Sequence, residues 1–406
     1  MGKITWLIQK SYYRFYQGIM KIAMKFLKYQ EQQMIDYPGA IDAIPQIVKE
    51  QNLTSICLLC SKSVRRHGGL DSLLEGLEKE EIKYTIFEGI HSNTTTKNVE
   101  DGYAVYRKHN CDGIIAVGGG SVLDCAKIIG IKVSNPTLSF AEMKAMSAIK
   151  HPAPFMIAAP TTAGTGSEST VAAVVTDMEK KEKFAIVSFS SLPKIVILDA
   201  NLTLGLPKDI SAYTGMDALT HAMEAYIGNF GTAYTDTKAL QAIKLIFENI
   251  TKVYEDGSDL EARNNMLVAS NLAGDAFTRT YVGYVHAISH ALSALYDVGH
   301  GKTNAIVLPY VLKYYGKSIE KKLANIAKYV GIDSKEENEE SLARQVIQKI
   351  ESLNQKMGIP DKVEELLKKD IPIIVDKALK EANPSYPVPK IMDKKDCTLL
   401  VEKLIH

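Results

Sequence analysis

One aspartate and four histidines in the second half of the chain have the types and spacing of metal ligands. Asp217 and His221 are four residues apart in a run of good helix formers. His286 and His290 repeat that spacing on another apolar segment, and His300 follows on a predicted loop. Residues four apart project from one helix face about 6 Å apart, so a carboxylate and an imidazole can bind the same ion. These donors therefore predict a site for a divalent metal.

The chemistry of the donors narrows the choice of metal. No cysteine is among them, which argues against a closed structural zinc site and favours a divalent ion such as Fe, Zn, Mn or Co. The alternative is that the histidines are hydrogen-bonded core residues, the commoner role of a single histidine on an apolar helix. Two spaced pairs and a fifth donor disfavour it, because burying several unpaired polar groups would cost roughly a few kcal/mol each.

Three consecutive glycines follow a predicted apolar strand and open a predicted helix. Gly118, Gly119 and Gly120 let the backbone turn sharply and approach a ligand closely. Ser121 and Asp124 have the spacing of a capping box. The N–H groups and positive end of such a helix can cradle a pyrophosphate. The usual dinucleotide fingerprint lacks its third glycine here, so a plain tight turn is the alternative.

A second loop combines hydroxyl groups with glycines. Thr161, Thr162 and Thr165 follow the predicted strand 155–159 in the run PTTAGTGSE. Short hydroxyl donors on a flexible backbone suit the ribose or the amide of a nicotinamide nucleotide. A Gly/Thr loop that binds no ligand is the alternative.

These motifs together resemble one enzyme family. The run GMDALTHAMEAY at 215–226, the His286/His290 pair and the run HGKTNAIVLP at 300–309 are similar to the iron-containing (group III) alcohol dehydrogenase family. The runs GGGSxxDxAK and PTTAGTGSE are also marks of that family. The resemblance extends from about residue 37 to the C-terminus.

The resemblance implies a role for each of the five donors. The metal ligands that it implies are Asp217, His221, His286 and His300. His290 matches a histidine that lies beside the metal, near the nicotinamide and the substrate, and it is the predicted catalytic residue. The cofactors implied are a divalent metal, Fe2+ or alternatively Zn2+, and NAD(P).

The resemblance also assigns the dinucleotide to the first half of the chain. In the family the glycine run binds the pyrophosphate, and Lys183 aligns with a lysine that contacts the cofactor ribose. The cofactor-binding residues expected are Ser61, Asn93, Gly118, Gly119, Gly120, Ser121, Asp124, Thr161, Thr162, Thr165, Lys183 and Leu204.

Ser61 departs from the family pattern in an informative way. NAD-preferring relatives usually carry an aspartate at this position, which holds the adenosine ribose hydroxyls. Here Lys62, Arg65 and Arg66 follow the serine. Without that carboxylate nothing at this position repels a 2′-phosphate, and the nearby cations could pair with one. The hypothesis is that NADP(H) is accepted, with the preference between the two cofactors left open.

The reaction expected is metal-dependent hydride transfer between an alcohol and NAD(P). The metal would act as a Lewis acid on the substrate oxygen, the hydride would pass to or from nicotinamide C4, and His290 could relay the proton. The alternatives are a metal- and NAD-dependent lyase of the dehydroquinate synthase kind and a non-catalytic metal- or nucleotide-binding protein. The substrate stays open among short primary alcohols, diols and aldehydes. Arg279 either contacts an anionic substrate group or forms a structural salt bridge.

The composition is that of an ordinary globular protein. Of the 406 residues 46% are apolar and 23% are charged, and the formal net charge of +1 argues against nucleic-acid binding. Five cysteines, an odd number, fit a reducing compartment, so a cytoplasmic location is predicted. Cys57 and Cys60 are three residues apart in a predicted strand, which directs them to opposite faces and favours packing over a redox or metal pair.

Alternating helices and apolar strands predict the elements that carry these residues. We expect an α/β N-terminal dinucleotide-binding domain, with a parallel sheet and helices on both faces, followed by an all-α metal-binding domain. The predicted boundaries are 1–30 for an N-terminal extension, 31–207 for the NAD(P)-binding domain and 208–406 for the helical domain. Helices are predicted at 41–51, 70–80, 99–109, 235–255, 260–276, 317–330, 340–357 and 363–379, and strands at 55–60, 84–88, 113–117 and 155–159.

Residues 1–30 contain six basic residues and no acidic residue. Wound as a helix, they place an apolar stripe opposite most of the basic side chains. The stripe consists of Tyr12, Tyr16, Ile19, Ala23 and Phe26. This basic amphipathic helix is expected to dock on the protein itself or on a second subunit rather than on an anionic membrane surface. A homo-oligomer, a dimer or larger, is expected from the resembled family. Residues 383–390, which include three prolines, are predicted to form an exposed turn.

Overall fold

The protein consists of a sheet unit and a helical unit. The computed structural model describes residues 3–27, 29–90, 93–180, 182–332 and 338–406. The sheet unit contains residues 29–207 and 256–274, and the helical unit contains residues 1–28, 208–255 and 275–406. The predicted fold class is confirmed. The three-part division at 1–30, 31–207 and 208–406 remains a prediction, and residues 256–274 group with the sheet unit although they follow residue 208.

Short apolar runs form the strands of the sheet unit. The strands are β1 (Gln33–Ile35), β2 (Ser55–Cys60), β3 (Lys83–Phe87), β4 (Gly113–Gly118), β5 (Phe155–Pro160), β6 (Ala172–Asp177), β7 (Glu182–Val187) and β8 (Ile195–Ile197). Six of them form a parallel sheet in the order β1-β8-β5-β4-β2-β3, and β6 and β7 form an antiparallel hairpin. The central strands β2, β4 and β5 are buried almost throughout, as parallel strands covered on both faces must be.

Each face of the sheet packs its own apolar core. Cys57 and Leu59 belong to the cluster on one face, and Ile56, Leu58 and Cys60 belong to the cluster on the other. This alternation follows from the two-residue period of a strand. All five cysteines are buried and none forms a disulfide. The prediction that Cys57 and Cys60 are packing residues on opposite faces is confirmed.

The helices of the first half surround the sheet or precede it. They are α1 (Lys3–Met24), α2 (Ile44–Glu50), α3 (Lys62–Arg66), α4 (Asp71–Lys79), α5 (Thr96–Lys108), α6 (Gly120–Ser134) and α7 (Phe140–Met143). The predicted helices 41–51, 70–80 and 99–109 correspond to α2, α4 and α5, which begin and end within three residues of the prediction.

The order of the strands brings two candidate loops together. The chain goes from β2 outward to β3 and then returns to β4 on the other side of β2, so the direction of winding changes between β2 and β4. Cys60 pairs with Val117 across these strands, so Ser61 and Gly118 follow at the same edge of the sheet. Ligands of open α/β sheets bind at such a point, beyond the carboxyl ends of the strands.

The second half of the chain supplies the remaining helices. They are α8 (Lys208–Ile227), α9 (Ala233–Glu255), α10 (Leu260–Thr280), α11 (Tyr284–Tyr296), α12 (His300–Tyr315), α13 (Glu320–Val330), α14 (Glu339–Lys356), α15 (Ile371–Ala382) and α16 (Lys394–Glu402). Residues 215–227 of α8 are all buried. A helix without a solvated face must be enclosed by others, and α8 packs against α9 and α12.

Two sequence predictions about the C-terminal region are wrong. A helix was expected at 363–379, but Val363 pairs with Ile405 in a short β-bridge and α15 begins only at Ile371. Pro372 explains the start, because proline suits the first turn of a helix and disfavours helical backbone before it. Residues 383–390 were expected to be exposed, whereas Pro387 and Val388 within them are buried.

None of the helices in the described part of the chain has both the length and the hydropathy needed to cross a bilayer. The N-terminal helix α1 instead lies on the helical unit through its polar side. Arg14 and Gln17 donate hydrogen bonds to backbone carbonyls of residues 384–389. The helix therefore docks on the protein, as predicted, but its apolar stripe does not make these contacts.

Candidate metal centre and cofactor loops

Two of the predicted ligands lie one turn apart on α8, within the helical unit. The side chains of Asp217 and His221 are only 4% and 7% exposed, and Asp217 Oδ1 lies 4.0 Å from His221 Nε2. Phe277 on α10 stacks its ring on His221 with the ring centroids 4.2 Å apart. This aromatic contact restricts the orientation of the imidazole.

The other two predicted ligands come from the starts of α11 and α12. His286 Nε2 lies 3.8 Å from Asp217 Oδ1, and His300 Nε2 lies 3.4 Å from the same oxygen. The ring of His286 also stacks on that of His221, with centroids 4.5 Å apart. The loop predicted at His300 is instead the start of α12, of which His300 is the first residue.

The spacing of these donors fits a single ion. Two ligands that each lie about 2.1 Å from a metal can be at most about 4.2 Å apart, and Asp217 Oδ1 stands within that distance of all three imidazoles. The donor atoms of Asp217, His221 and His286 lie within 4.8 Å of one another. One carboxylate with three imidazoles suits a divalent ion of the iron or zinc kind. The structure thus brings Asp217, His221 and His286 together as one group of donors and places His300 beside them, with its Nε2 3.4 Å from Asp217 Oδ1.

Asn304 lies among these donors, one turn beyond His300 on α12. Its amide nitrogen is 2.7 Å from Asp217 Oδ1, 3.2 Å from His286 Nε2 and 3.1 Å from His300 Nε2. Three polar atoms that converge on one amide NH2 group can converge equally on a cation. The amide oxygen of Asn304 is buried without a hydrogen-bond partner among the described residues, which also favours a cation nearby.

Glu224 holds His286 in place, and sequence reasoning missed it. Glu224 Oε2 accepts a hydrogen bond from His286 Nδ1 at 2.6 Å and another from the Gly283 N–H at 2.8 Å. Its Oε1 accepts from the Val285 N–H at 2.8 Å. Because Nδ1 carries the proton, the lone pair of His286 Nε2 is directed at the donor cluster. The sequence held one signal for it: Glu224 follows Asp217 by seven residues, which is two helical turns, so both lie on the same face of the helix.

Burial sets the protonation of this pair. It raises the pKa of Glu224, and the hydrogen bonds from Gly283, Val285 and His286 oppose that rise. Burial, followed by the neighbouring imidazoles of His221 and His300, lowers the pKa of His286 well below its ordinary value of 6.5. His286 is therefore neutral at physiological pH, which is the form that binds metals.

His290, the predicted catalytic residue, lies at the exposed edge of the cluster. Its side chain is 42% exposed and its ring stacks on His300, with centroids 5.0 Å apart. Nδ1 of His290 lies 2.7 Å from Glu381 Oε1, which also accepts a hydrogen bond from the Tyr386 hydroxyl at 2.8 Å. Sequence reasoning missed Glu381, since 91 residues separate it from His290 and no motif surrounds it.

The glycine loop of the sheet unit has two kinds of glycine. A Cβ atom on Gly118 would lie 2.5 Å from Val122, and one on Gly120 would lie 2.8 Å from Thr165, so internal packing requires both glycines. A Cβ on Gly119 would only meet Thr162 at 3.5 Å, an ordinary contact. Packing within the protein therefore gives no reason for glycine at 119, whereas a ligand that approaches the backbone does.

The predicted capping box is wrong. The N-cap of α6 is Gly119, and its first helical residue is Gly120. Asp124 instead accepts hydrogen bonds from Ser167 Oγ at 2.5 Å and from the Val174 N–H at 2.9 Å. Burial raises the pKa of Asp124, and the ammonium group of Lys127 opposes that rise. The helix start thus keeps its positive end, while Asp124 ties α6 to the hairpin β6–β7.

The threonine loop lies beside the glycine loop. Gly118 pairs with Pro160 across β4 and β5, and the Thr161 N–H donates to the Gly118 carbonyl at 3.1 Å. Thr162 stands next to Gly119, and Thr165 stands next to Gly120. The structure therefore brings both predicted cofactor loops to one edge of the sheet.

The other predicted cofactor residues surround this edge less closely. Ser61 caps α3, where its Oγ accepts from the Val64 N–H at 3.2 Å. Asn93 is exposed, and its neighbour Thr94 donates to the Ser121 carbonyl at 2.6 Å, so it lies near the start of α6. Lys183 on β7 is exposed, and its positive charge opposes the rise in the pKa of Asp124. Leu204 is 42% exposed and follows a short 3-10 turn.

Arg279 forms the salt bridge that the sequence left open. Its Nε lies 2.8 Å from Asp275 Oδ1, one turn earlier on α10, and both side chains are largely buried. The guanidinium also lies over the ring of Tyr234, 4.9 Å from its centroid. Arg279 is therefore engaged within the helical unit.

Comparison with known proteins agrees with this site. Residues 32–200 match the model "Iron-containing alcohol dehydrogenase", and residues 211–405 match "Fe-containing alcohol dehydrogenase family, C-terminal". The 1,3-propanediol dehydrogenase of Citrobacter freundii is 40% identical over 352 residues, which are 85% of this chain and 90% of that protein. The NADPH-dependent butanol dehydrogenase of Clostridium saccharobutylicum is 34% identical over 84% of this chain and 89% of its own length.

A solved structure shows the same fold. The crystal structure of a 1,3-propanediol oxidoreductase superimposes with a TM-score of 0.89 at 35% identity, and the match covers 93% of this chain and all of that one. Family models cover both the sheet unit and the site-bearing helices. This chain therefore belongs to the iron-containing alcohol dehydrogenase family and is a metal-dependent oxidoreductase that acts on alcohols or aldehydes.

Proposed function

We propose that this enzyme interconverts short primary alcohols or diols and their aldehydes, with NAD(P)(H) as the hydride carrier. The observation that carries the proposal is the convergence of one carboxylate and three imidazoles within the helical unit. The proposed ligands of the metal, iron first and zinc as the alternative, are Asp217, His221, His286 and His300. The names of the relatives, which concern 1,3-propanediol and butanol, support the substrate class.

The chemistry divides between the bound groups and the chain. When bound, the divalent ion supplies Lewis acidity to the substrate oxygen and the dinucleotide accepts or returns the hydride. Glu224 fixes the tautomer of His286, so that its Nε2 stays a ligand atom. Phe277 holds the ring of His221.

His290 is proposed to move the substrate proton. Its Nδ1 faces the carboxylate of Glu381, which leaves Nε2 as the atom that exchanges a proton with the substrate hydroxyl. The carboxylate stabilises the imidazolium that forms when Nε2 takes the proton. Because the side chain is 42% exposed, that proton can then pass to solvent.

The cofactor is proposed to lie along the glycine and threonine loops. The start of α6 at Gly119 and Gly120 supplies backbone N–H groups and the positive helix end for the pyrophosphate. NADP(H) is proposed to be accepted, since Ser61 carries no charge and Lys62, Arg65 and Arg66 follow it in α3. We also propose a cytoplasmic location, in line with five reduced thiols, and a homo-oligomer.

A cofactor and metal screen tests the function. The protein would be purified without oxygen, its metal content measured, and aldehydes of increasing chain length assayed with NADH and NADPH. We expect net cofactor oxidation that is lost with a chelator and restored by Fe2+. A metal-loaded protein that oxidises neither cofactor with any aldehyde would contradict the proposal, and a lyase that returns its hydride within each turnover would give that result.

A further inference from the structure

Segment 384–389 of the helical unit takes hydrogen bonds from the N-terminal helix α1. The segment lies in no helix or strand, and three of its six residues are prolines, which have no N–H group. Its carbonyl oxygens therefore need donors from other parts of the chain. Gln17 of α1 donates to two of them at 2.8 and 3.0 Å, and Arg14 donates to two others at 2.8 and 2.9 Å. The two side chains thus hold the segment at four points.

Gln17 is the centre of this contact. It is only 3% exposed, and both ends of its amide are bonded, because its Oε1 accepts from Arg14 at 2.8 Å while its nitrogen donates to the segment. A buried polar group with its hydrogen bonds made restricts the positions of its partners. The family match begins only at residue 32, so α1 lies outside the matched part of the chain. The helix therefore adds a support that the matched part does not contain.

The segment that α1 holds carries the hydroxyl group that contacts Glu381. Gln17 bonds the carbonyl of Tyr386, and the side chain of Tyr386 donates to Glu381 Oε1 at 2.8 Å. The same oxygen lies 2.7 Å from His290 Nδ1. The side chains of Glu381 and His290 are 34% and 42% exposed, so hydrogen bonds rather than close packing must restrict them. Three hydrogen bonds in series thus connect the buried amide of Gln17 to the exposed histidine of the site.

We propose that α1 positions His290 for proton transfer, with Gln17 and Arg14 as the positioning residues. This inference rests on the proposed function, in which His290 exchanges the substrate proton. While the segment is held, Glu381 keeps Nδ1 of His290 engaged and Nε2 available to the substrate. Once the segment loosens, the imidazole adopts other orientations and proton transfer slows. The bonds that orient the metal ligands, from Glu224 and Phe277, do not involve α1, so the metal stays bound.

A double-mutant cycle on the full-length enzyme tests the connection. Gln17→Met removes both bonds to the segment and keeps the length of the side chain. It should lower kcat about threefold or more, while the KM for the aldehyde and the metal content stay near wild type. Because Gln17 acts through Tyr386, the double variant with Tyr386→Phe should be no slower than the slower single variant, whereas independent structural effects would multiply. Gln9→Met is the matched control on α1, since Gln9 bonds Tyr13 within the helix, and it should keep the wild-type kcat.

Amide hydrogen exchange measures the same support without turnover. Gln17→Met should speed exchange in the peptide that covers segment 384–389, and Gln9→Met should leave it unchanged. Arg14→Lys keeps a cation on α1 but loses the planar fork that reaches two carbonyls, so it should reproduce both effects. It also provides the test if Gln17→Met does not fold, which circular dichroism shows.

Three results would overturn the proposal. They are a folded Gln17→Met variant with the wild-type kcat, losses that multiply in the double variant, and exchange in segment 384–389 that matches wild type. Wild-type protein that turns over no aldehyde contradicts the proposed function instead. The exchange rates, which need no activity, then decide whether α1 holds the segment.

Discussion

Glu381 Oε1 lies 2.7 Å from His290 Nδ1, so a carboxylate on α15 fixes the exposed histidine of the candidate site. We class Glu381 as a positioning residue, because it acts through His290. Glu381→Gln should lower kcat by about tenfold while the KM for the aldehyde and the metal content stay near wild type. The reason is that the amide removes the negative charge that stabilises the imidazolium. Steady-state kinetics with metal analysis checks this.

Tyr386→Phe is the matched control for that carboxylate. It removes the other hydrogen bond to Glu381 Oε1, at 2.8 Å, and leaves the charge in place. Tyr386→Phe should lower kcat less than Glu381→Gln does. Glu381→Asp, which keeps the negative charge, should have a kcat between those of wild type and Glu381→Gln. Equal losses in all three variants would indicate a structural role for this corner of the helical unit.

His290 and His286 should differ in what their loss removes. His290→Ala is expected to lower turnover by roughly 10²-fold or more while the protein retains its metal, since general acid-base catalysis contributes at least that much. His286→Ala should lose the metal itself, because it removes a buried donor 3.8 Å from Asp217. Plasma emission spectrometry on the two purified variants makes the distinction. Metal loss from His290→Ala would make His290 a ligand instead.

Glu224→Gln should weaken metal binding without touching a ligand. Glu224 accepts three N–H donors, from His286 Nδ1 and from the backbone at Gly283 and Val285. A glutamine must present an NH2 group to at least one of them, which disturbs the orientation of His286. We expect metal affinity to fall about 10- to 100-fold, measured by competition with a chromogenic chelator. Glu248→Gln on the exposed side of α9 is the control and should bind metal normally.

Ser61→Asp should move the cofactor preference toward NADH. Aspartate caps a helix as well as serine does, so α3 should keep its start, while the new carboxylate would repel a 2′-phosphate and bind ribose hydroxyls. The ratio of kcat/KM for NADPH to that for NADH is expected to fall about tenfold or more, which corresponds to about 1.4 kcal/mol. Ser61→Asn provides the cap without the charge and should leave the ratio near wild type. An unchanged ratio in Ser61→Asp would show that position 61 does not contact the adenosine ribose.

Local spacing predicted the parts of the site that lie on one helix. The pair Asp217 and His221 could be recognised because four residues make one turn, and the resemblance joined them to His286 and His300. Glu381 could not be recognised, since its contact with His290 exists only after α11 and α15 have packed together.

The failed predictions have the same origin. Ser121 and Asp124 matched a capping pattern. The carboxylate of Asp124 instead accepts hydrogen bonds from Ser167 and from the Val174 N–H, which are far from it in the sequence. The apolar residues of α1 correctly predicted an amphipathic helix. Which side would dock was decided by the carbonyls of segment 384–389, which a sequence pattern does not reveal.

Lys127 should make the stability of the sheet unit depend on pH. It is fully buried, its ammonium group donates to Ser167 Oγ, Thr170 Oγ1 and the Ala172 carbonyl, and burial lowers its pKa from 10.5 to about 8. Between those values the unfolded chain binds more protons than the folded one, so the free energy of unfolding from this residue rises with pH, by up to about 1.4 kcal/mol per pH unit. Below pH 8 the lysine is charged in both states and the cost of burying the charge is constant.

Denaturant melts of wild type and Lys127→Met from pH 7.5 to 10.5 should show the steeper rise in wild type, and Lys83→Met, which removes an exposed lysine, should follow wild type. Parallel curves for wild type and Lys127→Met would mean that the buried ammonium keeps its ordinary pKa.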